Sequence, residues 1–99
     1  MRQSRDVQFP ADHPAAKGHF PGNPVIPGAF LLDEVIKEVI DDGDTVMIQS
    51  AKFFRPVRPG ESVILRWETR RGEIVFECVM AEDGSLAAAG VLGIGSDDR

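Results

Sequence analysis

The chain has 99 residues, 42% of them hydrophobic, with charges of both signs mixed along its length and a net charge of −5. That is enough for a single domain over residues 1–99, with an ordered core from about 5 to 95, but a chain this short buries only roughly 60–70% of its unfolded surface, so self-association is a natural supplement. The acidic balance and the lack of an aromatic-interleaved basic stripe exclude nucleic acid as a partner; no run nears the ~18 apolar residues of a membrane span and no signal-type apolar core follows Met1-Arg2-Gln3-Ser4-Arg5, so a cytoplasmic protein without membrane attachment is expected.

Residues 5–10 suit a short strand. From there to Pro27, prolines and glycines recur too often for a helix and leave a long connection. Connections beyond about a dozen residues without regular structure are uncommon in compact domains and usually functional. His13 and His19 both fall inside it, and His13, with no motif around it, reads as an ordinary loop residue.

Over 28–41, Leu31, Leu32, Val35, Ile36, Val39 and Ile40 recur at helical spacing, with Glu34, Lys37, Glu38 and Asp41 opposite. The stripe is wide and predicts a heavily buried helix. Pro27 stands where a first-turn proline is tolerated, and Asp41-Asp42-Gly43-Asp44 supplies the stop, with Gly43 as a left-handed cap. At about 100° per residue, Asp33 projects about 20° beyond Ile40, at the edge of the stripe, and is expected to border the core.

Four strands follow, over 45–55, 62–70, 73–82 and 85–94. The breaks at Arg58-Pro59-Gly60, Arg71-Gly72 and Asp83-Gly84 predict that each strand pairs antiparallel with the next. Val63, Leu65 and Trp67 share one face, and Ile74, Phe76, Cys78 and Met80 another, both suited to cover the helix. Cys78 therefore reads as a buried, inert thiol, and one thiol with two histidines offers no zinc spacing. In the last strand, Ala87, Ala88, Ala89 and Gly90 admit close approach by another element. Lys52, Arg55, Arg58, Arg66, Arg70 and Arg71 give either a basic patch for an acidic partner or scattered strand-end charges. The sum is an α+β domain, one long helix wrapped by a curved antiparallel sheet.

The long connection ends in Gly18-His19-Phe20-Pro21-Gly22-Asn23-Pro24-Val25-Ile26-Pro27-Gly28 and runs directly into the helix that carries Asp33. On spacing alone, His19 also suits a loop histidine satisfied by backbone groups, and Asp33 an early-helix acid favoured by the dipole. The proline and glycine framing is more specific. The pattern H-F-P-G-x-P-x-x-P-G-x-x-x-x-D resembles the active-site segment of hotdog-fold 3-hydroxyacyl-acyl-carrier-protein dehydratases. Ala51-Lys52-Phe53-Phe54-Arg55-Pro56-Val57-Arg58-Pro59-Gly60-Glu61 resembles their second, K-x-x-F-R-x-P-V-x-P-G-D-like segment. With the strand order, the resemblance extends from about Val7 to Ile94.

The resemblance implies the hotdog fold and removal of water from 3-hydroxyacyl thioesters on acyl carrier protein or coenzyme A, giving 2-enoyl thioesters without a cofactor or metal. By it, His19 is the catalytic base and Asp33 its acidic partner, the two coming from different subunits of a homodimer or of a trimer of dimers. Gly28 offers its N–H to the thioester carbonyl, and Phe20, Gly22, Val25, Pro27 and Ala29 contact substrate. Asp33 stands where single-function dehydratases usually have glutamate, as in the β-hydroxydecanoyl type that also isomerises double bonds and in shorter dehydratases of polyene pathways. The longer enzymes have an additional N-terminal helix and strand not found in these residues, which implies a shorter or more open acyl tunnel. Lys37 stands where many relatives have glutamine.

Elementary chemistry fits these roles. A histidine with an ordinary pKa near ~6.5 is mostly neutral at cytoplasmic pH and can take the C2 proton. A helix N-terminus stabilises the charge that develops on the thioester oxygen. Two other readings share the fold: a thioesterase in which an acid activates water, against which the histidine-bearing segment argues, and a non-catalytic acyl-binding domain.

Overall fold

The computed structural model describes residues 2–9, 25–26, 28–41 and 43–96. Most of the predicted long connection, including His13 and His19, lies outside them; Val25 and Ile26 at its end are described. The described elements are β1 (Arg2–Gln8), α1 (Gly28–Val39), β2 (Asp44–Phe53), β3 (Ser62–Arg70), β4 (Glu73–Met80) and β5 (Leu86–Ser96). The strands form one antiparallel sheet in the order β1-β3-β4-β5-β2.

The alternation read in β3 and β4 sets the core. Val63, Leu65 and Trp67 are buried, as are Ile74, Phe76 and Cys78. The register places Leu65 opposite Cys78 and Trp67 opposite Phe76, so the two rows make one apolar face. Leu31 and Val35 of α1 join the same cluster. A 12-residue helix is marginal alone, whereas each buried large apolar side chain stabilises by about 1.5–3 kcal/mol, so packing on the sheet is what holds α1 in place.

Two expectations about the sheet are corrected. β2 does not pair with β3; it lies at the far edge against β5, and β1 takes the place beside β3. The β2–β3 connection carries Pro56 and Pro59 and is too long for a tight hairpin, so nothing local forces the two together. β5 instead offers a low surface. A Cβ on Gly90 would overlap the Ser50 carbonyl oxygen of β2 and stand 2.9 Å from the Phe76 ring. The small residues of the last strand therefore do admit another element, and that element is β2. β1 begins at Arg2, earlier than its sequence suggests, because its pairing is of the backbone, from Arg2 opposite Glu68 to Gln8 opposite Ser62. Arg5 also reaches α1, with its guanidinium 2.8 Å from the Glu38 carboxylate.

The helix is less covered than its wide stripe predicts. Only Leu31 and Val35 are buried, while Leu32, Ile36, Val39 and Ile40 are partly covered. Asp33 is exposed, contrary to the expectation that it borders the core. On a 100° wheel it lies about 180° from the midpoint of Leu31 and Val35, the side that meets the sheet. It still lies within about 60° of Ala29, Ile36 and Ile40, so it borders the half of the stripe that this chain covers only partly. α1 ends before Gly43, which adopts the expected left-handed conformation with φ 87°. The edge strand β2 adds the exposed Met47 and Ile48.

Candidate active site

An open cavity of about 510 Å³ lies at the N-terminus of α1. Its helix side is Val25, Ile26, Gly28 and Leu31, and its other wall is the stretch from Phe53 to Val57. Among the described residues the two walls are tied by one bridge, the Ile26 N–H donating to the Val57 carbonyl at 2.7 Å. Gly28 is the first helical residue, so its N–H stands outside the intrahelical ladder and at the positive end of the dipole. A side chain there would meet Phe53: an ideal Cβ on Gly28 stands 3.0 Å from the ring's Cζ. Glycine lets ring and backbone meet at this edge of the cavity.

The cavity is mostly apolar, with Arg55 its one charged lining residue among those described. That guanidinium is engaged. Its Nη1 donates to Ser85 Oγ at 2.9 Å and lies 3.5 Å from Asp83 Oδ2, and its Nη2 lies 4.0 Å from Glu61 Oε2. Asp83 Oδ1 accepts from Ser85 Oγ at 2.6 Å and from the Ser85 N–H at 2.9 Å. These bonds, with the nearby Arg55 charge, hold the Asp83 carboxyl below its ordinary range.

Of the residues expected to make the site, Val25 and Gly28 line the cavity. Ala29 and Asp33 are exposed and do not line it. Around the helix, Asp33 lies about 140° from Gly28, so one chain does not bring this carboxylate to its own cavity. His19, Phe20, Gly22 and Pro27 lie outside the described residues. Sequence reasoning missed Phe53 and Phe54 as wall residues, although the second family-like segment contains both. The same segment contains Arg55, whose charge by sequence suits either a basic patch or a scattered strand-end position and not a cavity wall.

That patch is divided by the fold. Lys52, Arg66 and Arg70 join Arg2 around a shallow trough of about 410 Å³ on the sheet face away from α1, together with Glu68 and Glu77. Arg70 meets Glu68 at 2.8 Å and Arg66 meets Glu77 at 3.5 Å. Hydrogen bonding from Arg70 and its charge lower the Glu68 carboxyl. Arg55 belongs to the cavity wall instead, and Arg71 to the β3–β4 turn with φ 28°. Cys78 is buried as expected, and burial, with a smaller contribution from Glu77, pushes its thiol up to about 12.

Among the described residues, one helix lies on a five-stranded antiparallel sheet with a cavity at the helix start, the architecture of hotdog-fold enzymes. The chain belongs to the ApeI-like dehydratase family, described as ApeI dehydratase, which it matches over residues 2–91. It is a dehydratase, a lyase. The 3-hydroxyacyl-acyl-carrier-protein dehydratase FabZ of Pectobacterium atrosepticum is 31% identical over 103 residues, covering 88% of this chain and 67% of the relative. The FabZ of Sodalis glossinidius is 32% identical with the same coverage. Among solved structures, the dehydratase heterocomplex ApeI:P from Xenorhabdus doucetiae superimposes with a TM-score of 0.79 at 20% identity, over 94% of this chain and 86% of that one. An uncharacterised protein from Erwinia carotovora subsp. atroseptica gives 0.82 at 24%, over 99% and 86%. At these identities the two structures speak to the fold. Among the described residues, no helix is long and apolar enough to cross a membrane.

Proposed function

We propose that the protein removes water from 3-hydroxyacyl groups carried as thioesters on acyl carrier protein, giving 2-enoyl thioesters for fatty-acid or polyene-type synthesis in the cytoplasm. The observation that carries this reading is the cavity at the start of α1, with Gly28 in its wall, at the end of the H-F-P-G segment. The acyl thioester enters with its carbonyl oxygen toward the Gly28 N–H, where the hydrogen bond and the helix dipole stabilise negative charge as the C2–H bond breaks. His19 accepts the C2 proton. The C2–C3 double bond forms as the C3–O bond breaks, Asp33 orients the departing hydroxyl, and the proton gained by His19 completes the water that leaves.

Asp33 faces away from its own chain's cavity, which supports a site shared between two chains. In this reading two copies pair through the open arc of α1 and the outer edge of β2, and each supplies Asp33 to the other's cavity. Leu32, Ile36 and Ile40 on the helix and Met47 and Ile48 on the strand are the apolar residues that such pairing would bury. Phe20, Gly22, Val25, Pro27 and Ala29 complete the surroundings of the substrate.

The test is incubation with 3-hydroxyacyl thioesters of carrier protein and of coenzyme A, followed by mass detection. Loss of water from the acyl group supports the reading. Release of free thiol with no loss of water would point to a thioesterase and overturn it.

A further inference from the structure

β2 ends at Phe53, and the cavity wall beyond it has no sheet ladder to hold it. Four residues follow, and they are held at separate points. The Phe54 N–H donates to the Ala87 carbonyl at 2.8 Å, Pro56 has no N–H to offer, and the Val57 carbonyl accepts from Ile26 at 2.7 Å. Between these two backbone anchors stands Arg55, the side chain that fastens the wall to the β4–β5 turn through Ser85 and Asp83 and approaches Glu61 ahead of β3. The Ser85 hydroxyl oxygen accepts from the guanidinium while its O–H donates a hydrogen bond to Asp83, so the turn presents an oriented acceptor.

We propose that Arg55 is a positioning residue: latched to Ser85 and Asp83, it fixes the Phe53–Val57 wall against Gly28 and so sets the depth of the acyl cavity and the chain length it favours. The proposal rests on the dehydratase reading of that cavity. The latch is one-third exposed at the arginine and more than half exposed at Asp83, so it contributes little to global stability. Its effect lies in where the wall stands. An apolar pocket discriminates one methylene by roughly tenfold or more, a preference that needs walls that do not yield, and among the described residues Arg55 is the side chain that ties this wall to another element.

The experiment compares wild type, Arg55→Met and Ser85→Ala. The readouts are kcat/KM on 3-hydroxyacyl carrier-protein thioesters of graded length, the thermal midpoint, and hydrogen exchange of the Ile26 amide. Arg55→Met should reduce the preference for the best chain over one two carbons longer by roughly fivefold or more, with a midpoint within a few degrees of wild type. Ser85→Ala, which alters the latch from outside the cavity, should move the preference in the same direction. Both variants should exchange the Ile26 amide faster. An unchanged length preference in both overturns the proposal, and so does a change in Arg55→Met alone, which would mean that the arginine acts on substrate directly. If wild type dehydrates no thioester, the dehydratase reading fails by itself. The Ile26 exchange then still decides the latch, unchanged rates in both variants overturning it.

Discussion

The ring of Phe53 lies across the first residue of α1: an ideal Cβ on Gly28 would stand 3.0 Å from Cζ and 3.1 Å from each Cε. Phe53 is half exposed, so the ring can give way to a methyl group, and helix propensity favours alanine over glycine by up to about 1 kcal/mol. Gly28→Ala should therefore leave the thermal midpoint within a few degrees of wild type. Turnover should fall at least about tenfold, because the methyl group and displaced ring intrude where the thioester oxygen meets the N–H. Adding Phe53→Ala should restore part of the loss. Gly28→Ala at wild-type activity would remove this end of α1 from the mechanism.

His19→Ala should lower turnover by at least roughly 100-fold, the usual scale for loss of a general base. The protein should keep its thermal midpoint, since the proline- and glycine-rich sequence around His19 suits a loop, away from the apolar rows of the helix and strands. Dehydration at a near-normal rate in this variant would contradict the assignment of the base.

How far the site was legible in the sequence depended on how local each feature is. The start of α1 at Gly28, the inward rows of β3 and β4, and the fate of Cys78 follow from local spacing and were readable. The place of β2 was not, because the β2–β5 ladder joins residues some forty positions apart and no turn signal encodes it. Nor was the exposure of Asp33. A wheel gives its angle to Ile40, but only the packed structure shows that the sheet covers the Leu31 and Val35 side and stops. The role of Arg55 lay in a ring of contacts with Glu61, Asp83 and Ser85, of which the sequence shows only the members.

Met47 and Ile48 stand exposed on the outer edge of β2, the former 69% and the latter 49%. Replacing both by lysine should cost a single chain little, since neither is buried in it. If two chains pair through this edge, the variant should sediment as a monomer where wild type sediments as a dimer, and should lose activity along with the pairing. A stable, active wild-type monomer would contradict the shared site.

The Cys78 thiol gives a pH signature. Its folded pKa is raised from 9.0 to about 12 by burial, so unfolding releases a proton between those values. The stability linked to the neutral thiol is complete below pH 9 and is lost as pH rises toward 12, with a slope of about 1.4 kcal/mol per pH unit. Urea unfolding at pH 8, 9.5 and 10.5 should show wild type losing stability more steeply than Cys78→Ala. Parallel curves would mean that the thiol is solvated in the folded protein.

The central claim, that one dehydration site takes His19 from one chain and Asp33 from another, is tested most directly by subunit exchange. His19→Ala and Asp33→Asn proteins, each inactive alone, are mixed and exchange is verified by native mass measurement. In a heterodimer with shared sites, one site is intact and the other carries both lesions, so activity should return to about half that of wild type per heterodimer. If both residues of a site come from the same chain, every site keeps one lesion. Verified exchange with no return of dehydration would then contradict the account.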